Sequence, residues 1–214
     1  ADKCQIQIKM LNSSKGPAVR ALRAQDDKAL YSREMKKYID TVENLTLKEG
    51  YVDRIIIKDG KACGVVMPDG EEIYAKAVII TTGTYLNSKI FRRLKTGTPA
   101  RIKSSTIDFT KSKLEPGDDY PHKFSFDPGF DQIHKVSVPC HLTYTNLDIH
   151  NLIMDNLEVS AMYGGILDGV GPRYCPSIET KVVRFNDKER HQIFLEPESL
   201  EWDQTYIQGF STSM

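Results

Sequence analysis

Apolar and polar positions alternate over residues 6 to 11, Ile-Gln-Ile-Lys-Met-Leu, with the two-residue period of a strand, and Asn12-Ser13-Ser14-Lys15-Gly16 breaks the pattern as a loop. From Pro17, a residue suited to a helix start, Val19, Leu22, Leu30, Tyr31, Met35, Tyr38 and Ile39 recur near the helical period and predict one helix to about Val42. Such a helix would gather Lys15, Arg20 and Arg23 at its first turns, where dipole and side chains together favour an anion; the alternative is a solvated basic face. Residues 44 to 83 read as β structure, with apolar strands at 52–57, 62–67 and 77–81 and hairpin dipeptides at Asp59-Gly60 and Asp69-Gly70. Ala77-Val78-Ile79-Ile80 is continuously apolar and runs into Thr81-Thr82-Gly83-Thr84, as expected of a buried strand whose tip opens onto a ligand crevice. Beyond residue 90 the texture turns Pro-rich and irregular, so a boundary is expected near 93, giving regions 1–93 and 94–214. The second region is expected to be mixed α and β, with strands at 136–145, 181–185 and 191–195 and a helix from about Leu147 to Asn156.

Composition narrows the classes. With 214 residues, 40% of them hydrophobic and 27% charged, the chain can bury a sizeable core as one large or two small domains. No apolar run approaches the length that spans a bilayer, so no membrane role is expected. The 29 basic and 29 acidic residues balance, so any RNA contact must be local. Cys4, Cys63, Cys140 and Cys175 are far apart, without a C-x-x-C pair, which fits reduced thiols in the cytoplasm; the scattered histidines offer no metal constellation. The N-terminus has no basic region followed by an apolar stretch and no initiator Met, so a trimmed or partial chain without a secretion signal is expected.

The densest chemistry lies in Gly169-Val170-Gly171-Pro172-Arg173-Tyr174-Cys175-Pro176-Ser177-Ile178-Glu179. Pro176 fits the first position of a helix, which would make Cys175 its cap; free amides, the helix dipole and Arg173 would then favour the thiolate. The glycines would let backbone approach a phosphate or a nicotinamide dinucleotide. The competing reading is a tight turn carrying a buried, inert cysteine. Elsewhere, Lys95-Thr96-Gly97-Thr98 has the wrong order for a P-loop and reads as a turn, with Lys95 and Arg101 facing an anion. Glu196 and Glu198 read as a solvated face, and His191 as a structural hydrogen-bonder. Tyr144 and Tyr174 read as core residues, or as platforms for a base or nicotinamide ring.

Six motifs occur together and in order: Leu11-Asn12-x-Ser14-Lys15-Gly16-Pro17-Ala18-Val19-Arg20, Arg92-Arg93-Leu94-Lys95-Thr96-Gly97-Thr98-Pro99, Val138-Pro139-Cys140, Gly171-Pro172-Arg173-Tyr174-Cys175-Pro176-Ser177-Ile178-Glu179, His191-Gln192-Ile193-Phe194-Leu195-Glu196-Pro197-Glu198, and Ser211-Thr212-Ser213-Met214. Through them the chain resembles the glucose-inhibited division protein A family, nearly end to end. The resemblance implies an α/β fold: a partial FAD-binding, Rossmann-like domain of the two-dinucleotide-binding flavoprotein type over 1–93, whose order of helix, three-stranded meander and buried strand ending in Thr-Gly it shares, with an inserted, NAD-binding-like α+β domain over 94–214. It implies an enzyme that, with a GTPase partner, adds a carboxymethylaminomethyl group to the tRNA wobble uridine, using methylene-tetrahydrofolate and glycine or ammonium, with NADH reducing the flavin. A cytoplasmic homodimer within a heterotetramer is the implied assembly. The resemblance places Val52 against FAD. It assigns Gly171, Pro172, Arg173, Tyr174, Cys175, Pro176, Ser177, Ile178, Glu179, Thr180, Lys181, Val182, Val183, Arg184 and Phe185 to nicotinamide dinucleotide binding. Cys175 matches one of two cysteines implicated in chemistry, and a thiolate attacking C6 of uracil would make C5 nucleophilic.

Departures from the family pattern are also expected. The Gly-rich FAD fingerprint and the second implicated cysteine do not occur in this sequence, Ser88 stands where glycine is usual, and by the resemblance roughly thirty residues of the family's length are expected to be missing between Ile90 and Phe91, more than an ordinary loop. Two alternative functions follow: the related folate- and FAD-dependent tRNA uridine-5-methyltransferase, against which the Gly-Pro-Arg-Tyr-Cys-Pro-Ser-Ile-Glu motif argues, and a non-catalytic dinucleotide-binding or dimerisation module.

Overall fold

The structure is a computed structural model that describes residues 1–81, 97–119, 122–130, 137–165 and 176–214. The chain opens with β1 (Gln5–Leu11) and β2 (Ala21–Asp26), followed by α1 (Lys28–Asp40). A meander of β3 (Arg54–Lys58), β4 (Lys61–Val66) and β5 (Glu72–Tyr74) comes next. The remainder holds β6 (Thr98–Lys103), β7 (Lys113–Glu115), β8 (Cys140–Tyr144), α2 (Leu147–Asp155), α3 (Ile178–Arg184), β9 (Gln192–Pro197) and β10 (Gln204–Thr212). Two compact units result: residues 1–37 with 92–214, and residues 38–91. The expected split near residue 93 differs from this division, because β1 and β2 dock on the later strands.

In the first unit β6, β10, β9, β8 and β7 form one antiparallel sheet in that order, beside the antiparallel β1–β2 hairpin. The hairpin is fastened by backbone: Val138 N–H donates to Ile6 O at 2.8 Å and Asp118 N–H to Ile8 O at 2.9 Å. The approach is close enough that a Cβ on Gly117 would lie 2.8 Å from Gln7 Cγ and 2.9 Å from Ile8 O, so only glycine fits there. Ile153 of α2 packs on Ile178 and Val182 of α3, with Ile149, Leu157 and Phe210 alongside. Cys140, Leu142, Ile193 and Leu195 of the sheet are buried.

The helix expected over 17–42 is corrected by this arrangement. Residues 21–26 are a strand paired with β1, from Leu11↔Ala21 to Gln5↔Asp26. The helix begins at Lys28, where the Asp27 side chain accepts from Leu30 N–H at 2.8 Å as a cap does. Pairing satisfies more backbone groups of residues 21–26 than their weak helical periodicity specifies. The expected strand at 181–185 is also wrong: that stretch is α3, whose Ile178 and Val182 lie one turn apart on the buried face. The expected strand at 136–145 is shorter, as β8, and the one at 191–195 is β9.

The second unit contains the meander, in the order β3-β4-β5. Asp59 and Gly60 both take positive φ, 49° and 73°, as a two-residue hairpin turn requires. The strand expected at 77–81 is absent among the described residues, and Ile79 is 84% exposed. No described neighbour supplies the ladder that an apolar run needs to become a buried strand.

Candidate functional site

Alternation along the strands builds a pocket of about 170 Å³ in the first unit. Gln7, Lys9 and Leu11 share one face of β1, Arg23 and Gln25 one face of β2, and Gln192, Phe194 and Glu196 one face of β9; all of them line it, with Glu115 and Cys140. At its centre the Arg23 guanidinium donates through Nη2 to Glu196 Oε1 and, at 3.1 Å, to Gln208 Oε1. Glu196 is 2% exposed, and burial pushes its carboxyl up against the lowering pull of Arg23. It is therefore no solvated face, contrary to expectation. Glu198 is a different case: it pairs with Arg101 at 2.7 Å, so Arg101 faces a carboxylate of the chain rather than a free anion. Arg23, expected beside Lys15 and Arg20 on a helix, belongs to this buried pair, while Arg20 donates to Ser13 O. The signal for the pair was the spacing of Arg23 and Gln25, which only a strand places on one face.

Cys140 lines the same pocket but is a poor nucleophile. Burial first, then the Glu196 charge, push its thiol up to about 12, and the S–H donates to Gln7 Oε1 at 3.4 Å.

The second constellation surrounds the start of α3. The cap is Ser177, whose Oγ accepts from Thr180 N–H at 3.3 Å, so the expected cap at Cys175 is displaced by two residues. Gly171, Pro172, Arg173, Tyr174 and Cys175 lie outside the described residues, as do Lys95 and Ser88. Of the described part of the segment expected to bind a nicotinamide dinucleotide, Ser177, Ile178, Glu179, Thr180 and Val182 are buried, while Arg184 and Phe185 are exposed. Glu179 is 0% exposed; Thr212 Oγ1 donates to its Oε1 at 2.6 Å and Ser213 N–H at 2.8 Å, while Oε2 is buried without a hydrogen-bond partner. Burial raises its carboxyl, but the Ser177 and Thr212 hydroxyls and the Ser213 amide outweigh that and hold it below the usual range. One buried anion thus ties the first turn of α3 to the end of β10, and Lys181 adds a bond to Gly209 O at 2.7 Å. Neither role was visible in the sequence, where Glu179 entered only as one residue of the expected dinucleotide-binding segment.

The His191 side chain is not the structural hydrogen-bonder expected: its Nε2 is buried without a hydrogen-bond partner, and only its backbone N–H is engaged, donating to Thr145 Oγ1 at 2.8 Å. That hydroxyl also meets His150 Nε2 at 2.7 Å, and the two imidazole rings lie 5.1 Å apart. Burial, then the charges of His150, Lys181 and Lys188, lower the His191 imidazole. Tyr144 is 42% exposed beneath the Arg190 guanidinium, 4.5 Å from its ring, so it is not a core residue. In the second unit Val52 is 56% exposed. Among the described residues no group of His, Cys, Asp and Glu is arranged to hold a metal, and no helix is long and apolar enough to cross a membrane.

A sequence model described as "Glucose inhibited division protein A" matches residues 1–92 and 90–214. The chain belongs to the glucose inhibited division protein A family. It is 49% identical to the tRNA uridine 5-carboxymethylaminomethyl modification enzyme MnmG of Geobacillus thermodenitrificans and 50% identical to that of Bacillus mycoides, in each case over 100% of this chain and 38% of the relative. It resembles the solved structure of Aquifex aeolicus GidA in the form I crystal, with a TM-score of 0.85 and 43% identity over 100% of this chain and 41% of that one. The form II crystal gives 0.82 and 41%, over 99% of this chain and 39% of that one. The mixed α/β architecture is therefore that of GidA. The chain spans about two fifths of these relatives. The alignments run over 243 positions against 214 residues here, and the family match breaks at residues 90–92, which agrees with the gap expected between Ile90 and Phe91.

Proposed function

We propose that the protein to which this chain belongs is a FAD-dependent enzyme that adds a carboxymethylaminomethyl group at C5 of the tRNA wobble uridine. In this reading it works in the cytoplasm as a homodimer within a heterotetramer with a GTPase, taking a one-carbon unit from methylene-tetrahydrofolate and an amine from glycine or ammonium. The observation that carries it is the 49% identity, over the whole chain, to enzymes named for that modification. The flavin, reduced by NADH, would supply the redox chemistry. Residues present fit contacts to both groups: Val52 is open to a flavin, and exposed Arg184 and Phe185 offer a cation for a pyrophosphate and a ring for stacking. The Glu179 clamp positions α3 and hence Pro176 and Ser177, directly after Cys175. Cys175 attacks C6 of the uracil as a thiolate, raising electron density at C5 for the new bond. Arg173, two residues away in sequence, favours the anionic sulfur.

The test is nucleoside analysis of tRNA from a strain lacking the gene, complemented with the native gene or with Cys175→Ser. Native protein restores the wobble side chain and the serine variant does not. Restoration by the variant removes the cysteine's role, and loss of ribothymidine instead of the wobble side chain in the deletion strain overturns the assigned reaction.

A further inference from the structure

The β8–β9 ladder ends at Tyr144↔Gln192, and a latch closes it one step further. Thr145 N–H donates to His191 O at 3.0 Å, and His191 N–H donates back to Thr145 Oγ1 at 2.8 Å. The same hydroxyl meets Nε2 of His150, in the first turn of α2, at 2.7 Å. All three residues are buried. The latch thus ties α2 to the end of the sheet, where Ile153 of α2 covers Ile178 and Val182 of α3. α3 has a tie of its own, from Glu179 to Thr212 and Ser213 of the β10 end.

Neither ring of this arrangement gains a proton without leaving a polar group unpaired. The Thr145 hydroxyl accepts from the His191 amide, and among the described residues its one hydrogen finds an acceptor only at His150 Nε2, which must then be bare. His191 Nε2 is buried with no hydrogen-bond partner; an imidazolium carries hydrogen on both nitrogens, so a charged His191 holds a buried N–H without an acceptor. Facing it are His150 from α2, with the rings 5.1 Å apart, Lys181 from α3, and Asp187 and Lys188 from the segment after α3. Of these, Asp187 alone favours a positive ring. We propose that His191 is a proton-operated latch: uptake of one proton breaks the Thr145–His191–His150 contacts and releases α2, uncovering Ile178 and Val182, while α3 and the β9–β10 pairing stay in place. Release is favoured as pH falls below about 6.5, the value of an exposed ring, by about tenfold per unit until the closed form takes the proton too. The latch is independent of what α3 binds.

The test is amide hydrogen exchange on the isotope-labelled chain from about pH 7.5 to 5.5, corrected for the intrinsic pH dependence of exchange, with the His191 ring signal followed in the same samples. The amides of Thr145, His150 and His191, bonded to His191 O, Asn146 O and Thr145 Oγ1, report the latch. The Lys181 amide, bonded to Ser177 O, reports α3, and the amides between β9 and β10 report the sheet. The latch amides exchange faster than both references at every pH, and below about pH 6.5 their protection falls about tenfold per unit, in step with the ring signal. His191→Phe keeps the backbone bond to Thr145 and abolishes that slope. His191→Gln serves the same purpose if phenylalanine unfolds the chain, and the native ring signal needs no variant. Latch amides no faster than the references, protection without a slope, the same slope in either variant, or a slope out of step with the ring signal overturns the inference.

Discussion

The sheet-bearing unit and the meander unit are both antiparallel β structure, yet they stabilise themselves by different means. The first buries Cys140, Leu142, Ile193 and Leu195 on its strands and closes over the charged pair Arg23–Glu196 and the clamped Glu179. In the second, Val66 is the one buried apolar side chain among the described residues, while Ile57, Tyr74 and Ile79 are 63%, 54% and 84% exposed. A three-stranded sheet with so little covered apolar surface is marginal alone. Polar groups in the first unit are thus costly to desolvate and specific in their pairing, whereas the meander is held chiefly by its turns and ladder.

The largest effect expected from that contrast is at Arg23. Arg23→Ala leaves Glu196 buried without its cation and lowers the stability of the first unit by about 3 kcal/mol, the low end for a broken buried pair because the guanidinium is partly exposed. Adding Glu196→Gln recovers much of the loss, and urea denaturation of the three proteins measures both. Next comes Glu179→Ala, which strands the Thr212 and Ser213 donors and costs about 2 kcal/mol by the same method. A change in the meander sharpens the contrast from the other side. Gly60→Val forces a branched residue into φ 73° and costs about 1 to 2 kcal/mol, seen as faster amide exchange in β3–β5 with β8–β10 unchanged.

The smallest effect is electrostatic and its sign differs among groups. The His191 imidazole is lowered on folding, so its contribution is present above about pH 6.5, the unfolded value, and is lost as pH falls through the folded value. The Glu179 carboxyl is also lowered, so its contribution is present above about pH 4.3 and disappears with further acid. Glu196 is raised and opposes it, costing stability as pH climbs from about 4.3 through its folded value. Melting temperature against pH should therefore decline first below about 6.5, and His191→Phe should flatten that limb alone.

How much of this was legible depends on whether the deciding partner was local. The hairpin at Asp59-Gly60, the α2 helix and β1 follow from residues adjacent in sequence. β2 does not, since the helical spacing of Val19, Leu22 and Leu30 was overridden by a partner strand ten residues back. Glu196 looked solvated for a similar reason: its partner, Arg23, lies 173 residues away, and only the fold brings them together. The six motifs carried the family, as the match over residues 1–92 and 90–214 shows, but they did not carry the geometry of the pocket.

The central claim is that the nicotinamide dinucleotide would be held by the sheet-bearing unit around α3. Amide hydrogen exchange on the chain, with and without NADH, tests it most directly. The account predicts slow exchange in β8–β10, fast exchange in β3–β5, and further slowing on NADH addition within residues 171–185. NADH that slows exchange only in residues 38–81, or nowhere, contradicts it.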